Sequence, residues 1–232
     1  MELKQLKIAF FIALATAFLP TVRADVWAEL GDAGQTISSG QNTGVVGGNA
    51  LTMITGTLGS PGDVDLFRIQ INTPSTFSAT TSNLVTQTSG LDTQLYLFSL
   101  SGNGRAINAN DDDGSLQSTL PAGGLPNLLL PGVYYLAIAT TGNEAVDAVN
   151  QLLFSPDSPS TTIRTPNNSA GALAGWDTTF ADPGVGAYEI DLTGAFTAVP
   201  ETSTWFAAAL ALLGIFFFRA RRAQNYRVAG TR

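Results

Sequence analysis

The chain has 232 residues, 44% of them hydrophobic and 12% charged, with a net charge of −7, no histidine and no cysteine. Those absences exclude Ser-His-Asp and Cys-His nucleophile systems, His-ligated zinc and disulfide staples. The charge is unevenly spread: Asp25 to Ala198 carries three basic residues (Arg68, Arg105, Arg164) against sixteen acidic ones, a net of −13. Such a segment repels phosphate backbones, which excludes nucleic acid as a partner.

The chain opens with Lys4 and Lys7, then the apolar run Ile8 to Leu19, then Val22-Arg23-Ala24. A charged start, an apolar stretch and small residues at −3 and −1 of a cleavage point predict a signal peptide over 1–24. Signal peptidase is then a processing partner, cutting between Ala24 and Asp25, and the protein is exported. The 174 residues from 25 to 198 suffice for one domain with its own core.

Inside that domain the pattern is β. "VDLFRIQI" (64–71) alternates Phe67, Ile69 and Ile71 with Arg68 and Gln70, and "GAYEIDLTG" (186–194) sets Tyr188, Ile190 and Leu192 against Glu189 and Asp191. A period of two marks strands with one wet face. "QLYLFSL" (94–100) and "VYYLAIAT" (133–140) are apolar on both faces, which predicts central strands. Turn residues separate these runs at Pro61-Gly62, Ser101 to Gly104, Asp113-Gly114 and Pro131-Gly132. With no helical stripe between 25 and 198, the expected fold is all-β, a β-sandwich or jelly roll. The stretch from Asn143 to Gly171 is too long for a hairpin loop and is expected to decorate the sandwich.

The acidic turn "NANDDDG" (108–114) offers hard oxygens of the kind calcium takes, six to eight at about 2.3–2.6 Å. Alternation would pair Asn110 with Asp112 and Asp111 with Asp113, and Asp63 and Asp65 have the same spacing to complete one site. The other reading of the 108–114 turn is a solvated hairpin tip. Trp27 and Trp176 are expected in the core rather than as sugar-stacking platforms. Asn167-Asn168-Ser169 fits a glycosylation sequon. With no lysine in the domain, the catalytic chemistry left open is a carboxylate pair, as in a glycosidase.

Several of these elements together carry a resemblance. "GTLGSPGDVDLFRIQI", "LDTQLYLFSLSGNGRAINANDDDG" and "LPGVYYLAIA", spanning about 51–140, resemble the bacterial pre-peptidase C-terminal domain family. The resemblance implies a small non-catalytic β-sandwich appended to secreted proteins, with calcium in some members.

The chain closes on "VPETSTWFAAALALLGIFFFRARR" (199–222) and a basic tail over 219–232. The fourteen apolar residues from Trp205 to Phe218 make a helix of about 21 Å, a marginal span for a hydrocarbon core of roughly 30 Å. Arg219, Arg221, Arg222, Arg227 and Arg232 would hold its end in the cytoplasm and leave the acidic domain outside. The segment is similar to the PEP-CTERM sorting signal of Gram-negative bacteria that make exopolysaccharide. Val199, Pro200, Glu201 and Ser203 match its motif, while Thr202 stands where the pattern has a second proline. The resemblance implies processing by exosortase at the motif, an inner-membrane-anchored intermediate, and delivery to the cell surface or extracellular matrix. The function expected is a non-enzymatic surface or exopolysaccharide-matrix protein. The alternatives are a membrane-anchored periplasmic domain, an accessory module, or a hydrolase with a carboxylate pair.

Overall fold

The computed structural model describes residues 24–44, 49–82, 90–101, 103–128, 130–155 and 161–198. The apolar leader before Ala24, the motif residues Val199, Pro200, Glu201 and Ser203, the helix at 205–218 and the basic tail lie outside the described residues. Among the described residues the protein is all β. It has one 3-10 turn (Pro74–Thr76), no α-helix, and no helix long and apolar enough to cross a membrane.

In chain order the strands are β1 (Ala24–Ala28), β2 (Gln41–Asn42), β3 (Ala50–Leu58), β4 (Val64–Ile71), β5 (Ser78–Ser82) and β6 (Thr93–Ser99). They continue with β7 (Arg105–Asn110), β8 (Thr119–Leu120), β9 (Gly132–Thr140), β10 (Glu144–Val146), β11 (Gly175–Asp177) and β12 (Gly186–Thr197). The runs expected at 64–71, 94–100, 133–140 and 186–194 are β4, β6, β9 and β12. β12 continues three residues beyond Gly194.

β12 is the seam of the architecture. One of its edges follows β3 from Gly186↔Leu58 to Phe196↔Ala50. Its other edge pairs first with β5, Glu189 to Thr193, and then with β4, Ala195 to Thr197. The change of neighbour falls at Gly194, whose φ of 65° is left-handed. A strand that bulges and changes partners is how one sheet is folded over to face another. On one side of the seam run β1-β3-β12 with β5 and β8; on the other run β4-β9-β6-β7.

Alternation along the central strands divides the interior into two cores. Phe67, Ile69 and Ile71 of β4, Leu95 and Leu97 of β6, and Leu136 and Ile138 of β9 face Leu51, Ile54, Phe77, Ile190 and Leu192 from the opposing strands. The alternate residues, Leu66, Tyr96, Phe98, Tyr135 and Ala137, meet Leu153, Phe154 and Trp176. β6 and β9 are therefore buried on both faces, as their unbroken apolar runs predict.

The segment after β9 lies over the sandwich as a covering layer. It shares the second core with the back faces of β4, β6 and β9. β10 and β11 form a separate two-stranded ladder, and Tyr96, Phe98, Phe154 and Trp176 pack ring to ring beneath it, with centroids 5.2–6.2 Å apart. The physical reason is the apolar back face of β6 and β9, which needs a partner to leave water. Arg164, 2% exposed, pins the layer with a bidentate pair to Glu144 at 2.6 and 2.9 Å and a bond to the Ser155 carbonyl. Trp176 donates from Nε1 to the Gln35 carbonyl and packs against the second core, and Trp27 packs against the first, each indole half-buried.

Candidate functional site

Strand register gives the fold two unlike ends. Ala24 lies against Ala50, Phe196 against Ala50 and Gln70, and Ile71 against Gly132. At this end Asn49 donates to Asp25 Oδ2 at 2.8 Å, and Thr197 N–H donates to the Asn49 carbonyl at 3.0 Å. The two ends of the described fold thus meet through one asparagine. At the other end Val64 lies against Ala139, Thr93 against Thr140 and Leu95 against Asn110. Asp63, Asp65, Asp92, Asp111 and Asp112 all gather there.

These acids form two groups, not one. In the first, one carboxylate oxygen from each of Asp32, Asp63 and Asp65 lies within 4.8 Å of the others. Asp65 is fully buried because period two places it on the same face of β4 as Phe67 and Ile69. Its Oδ2 accepts from the Tyr188 hydroxyl at 2.7 Å, and its Oδ1 has no hydrogen-bond partner. Asp63 is held by N–H groups of Gly59 (2.6 Å) and Val64 (2.9 Å), and Asp32 by that of Gly34 (2.7 Å). Glu29 fastens the same loop to β3 by accepting from Ala33 and Thr57.

Burial pushes Asp65 up to about 8; the Tyr188 bond opposes the rise, while the Glu29, Asp63 and Asp32 carboxylates add to it. Burial and the neighbouring Asp65 carboxyl likewise raise Tyr188. Carboxylates this close need either a shared proton or a cation between them. The oxygens of this group are hard donors of the kind calcium takes, and Asp65 Oδ1 is buried without a hydrogen-bond partner.

In the second group Asp92 joins Asp111 and Asp112. Asp111 accepts from the Thr141 hydroxyl at 2.8 Å, while Asp92 Oδ1 and Asp112 Oδ1 are buried without partners. Burial, with Asp111, Asp112 and Asp182 nearby, raises Asp92 to about 6. This corrects the pairing expected from alternation. Adjacent Asp111 and Asp112 both turn toward Asp92, because the chain leaves β7 for a turn after Asn110. Asn110 and Asp113 close that turn: Asn110 bonds the Asp112 carbonyl and the Thr119 N–H, and Asp113 the Ser115 and Thr119 hydroxyls.

A different surface opens beside the β6–β7 turn. Cavities of about 430 and 640 Å³ share Ser99, Ser101, Ile107 and Asn127, which makes them one groove. Ile107, Pro131 and Val133 give it an apolar wall, and Arg105, Asn127 and Asn168 line it with polar ends. Among the described residues, no carboxylate lines either part. Asp147 lies behind Gly171, where the N–H groups of Gly171, Gln151 and Val149 hold its carboxyl below the usual range.

No family model matches the chain, and no curated protein matches it. Among solved structures, it aligns with the periplasmic inhibitor of g-type lysozyme, PliG, from Aeromonas hydrophila. The TM-score is 0.29 and the identity 9%, covering 74% of this chain and 98% of that one. A likeness of that size carries no argument about function.

The sequence alone did not point to Asp32, Glu29 or Arg105. Asp32 stands 31 residues before Asp63, and no local spacing links them. Asp92 did carry a signal, since it stands three residues before the apolar run "LYLF" and immediately before β6.

Proposed function

We propose that this is an exported, non-enzymatic protein of the cell surface or exopolysaccharide matrix, delivered by an exosortase acting on its PEP-CTERM-like tail. The observation that supports this reading best is the meeting of Asp25, Asn49 and Thr197 at one end of the sheets. A tail continuing from that end tethers the domain there and turns both acidic groups away from the membrane. The mechanism is non-covalent: calcium held by Asp32, Asp63 and Asp65 fixes the 29–34 loop against β3 and β4, and loops contact polysaccharide. Bound there, the ion supplies charge neutralisation and no chemical step.

Intact mass and cell fractionation in the native host, with and without the sorting protease, test the proposal. A form beginning at Asp25, ending within 200–203 and found outside only when the protease is present is the expected result. A chain that keeps its basic tail in the inner membrane of both strains would instead mark a membrane-anchored periplasmic domain.

A further inference from the structure

The domain carries sixteen acids and three arginines, and its arginines are used differently. Arg164 is buried and paired with Glu144. Arg68 is half-buried within β4, its Nε without a partner. Arg105 is exposed, has no ion pair among the described residues, and lines the groove beside β6 and β7. An otherwise anionic domain thus places its one exposed guanidinium in a groove that no carboxylate among the described residues lines. Six residue steps along β4 take Asp65 to Ile71, whose partner Gly132 lines the groove, a distance of about 20 Å. That exceeds two screening lengths of about 8 Å at physiological salt, so the acidic end does not cancel the field of Arg105; Asp147, behind Gly171 of the groove, has its charge taken up by the N–H groups of Gly171, Gln151 and Val149.

We propose that this groove binds an acidic polysaccharide, with Arg105 taking the carboxylate of a uronic acid residue; the inference rests on the polysaccharide reading above. A guanidinium presents paired N–H donors that match a carboxylate in two parallel hydrogen bonds. The Asn127 and Asn168 side chains make no hydrogen bond to another described residue, and each amide offers a donor and an acceptor for sugar hydroxyls. Ile107, Pro131 and Val133 supply an apolar wall for the C–H face of a pyranose ring. Nucleic acid, with a charge every ~1.7 Å of duplex, meets too much repulsion from the rest of the domain.

The test is affinity electrophoresis of the full chain in neutral detergent through gels holding a polyuronate, or the same polymer with its carboxyls reduced to alcohols. R219Q/R221Q/R222Q is the common background, which lowers attraction to the tail. On that background R105Q is expected to weaken polyuronate binding about tenfold and to leave the reduced polymer unaffected. If both polymers bind equally and R105Q changes neither, the uronate inference falls while polysaccharide binding stands. If neither polymer is retained, both readings fall. Retention abolished by a chelator but indifferent to R105Q would place the contact at ion bridges on the acidic end and overturn the groove.

Discussion

The Tyr188 hydroxyl donates a 2.7 Å hydrogen bond to Asp65 Oδ2, joining β12 to β4 across 123 positions of sequence. Both groups are buried, and Glu29, Asp63 and Asp32 surround the carboxyl with like charge. Asp65 therefore keeps its proton in the folded state up to about pH 8, whereas in the unfolded chain it loses it near 3.8. Between those values the folded state binds more protons than the unfolded one, so this group's contribution to stability falls as pH rises. The melting temperature of the wild type is expected to drop relative to Asp65→Asn across that window, with the gap widest above pH 8. A gap that does not change with pH would show that Asp65 is ionised in the fold.

Calcium should compete with that proton. A cation among Asp32, Asp63 and Asp65 favours the ionised form, so added calcium is expected to raise the melting temperature more at pH 8 than at pH 5. Asp65→Asn and Asp32→Asn should each reduce the response, and Asp113→Asn, whose oxygens serve the 110–119 turn, should not. Equal melting curves with calcium and with chelator at pH 8 would remove the ion from this site.

The Arg164–Glu144 pair is unequal, with side chains 2% and 22% exposed. Glu144→Ala strands a guanidinium away from water and is expected to cost about 3 kcal/mol. Arg164→Met leaves a carboxylate that water still reaches, and its cost should be smaller. The double variant Glu144→Leu/Arg164→Met should recover much of the loss, since an apolar pair carries no desolvation penalty. Urea midpoints read all three, with unchanged slopes if the native layer survives.

How far the sequence discloses this arrangement depends on how local each signal is. The alternation of Phe67, Ile69 and Ile71 belongs to one strand, and β4 spans the residues it marks. The same period places Asp65 on the inward face beside Phe67, so its burial is legible too. Tyr96, Phe98 and Tyr135 show that the sheet's other face is also apolar, yet nothing near them says what covers it. The cover is Leu153, Phe154 and Trp176, isolated apolar residues in a segment with no period and strands only three residues long. Asp32 reaches Asp63 only through the fold, so the acidic groups could be half named in advance but not assembled.

The turn of β12 from β5 to β4 rests on Gly194, and a side chain there should disrupt the seam. Its φ of 65° is a conformation that L-residues avoid. A Cβ at this position would also lie 2.8 Å from the Thr76 carbonyl carbon and oxygen and 2.9 Å from the Phe77 nitrogen. Those are backbone atoms of the 3-10 turn leading into β5, so they yield only if β5 moves. Phe77 and Ala79, both fully buried, would move with it. Strain at a left-handed site costs on the order of 1–3 kcal/mol, and the contact adds to that. Gly194→Ala is thus expected to lower stability by more than Gly31→Ala. At Gly31 the φ is nearly the same, 70°, but nothing lies within 4 Å of an added Cβ. The difference between these two variants isolates the steric part, and equal losses would mean that β12 changes partners without needing close approach at Thr76.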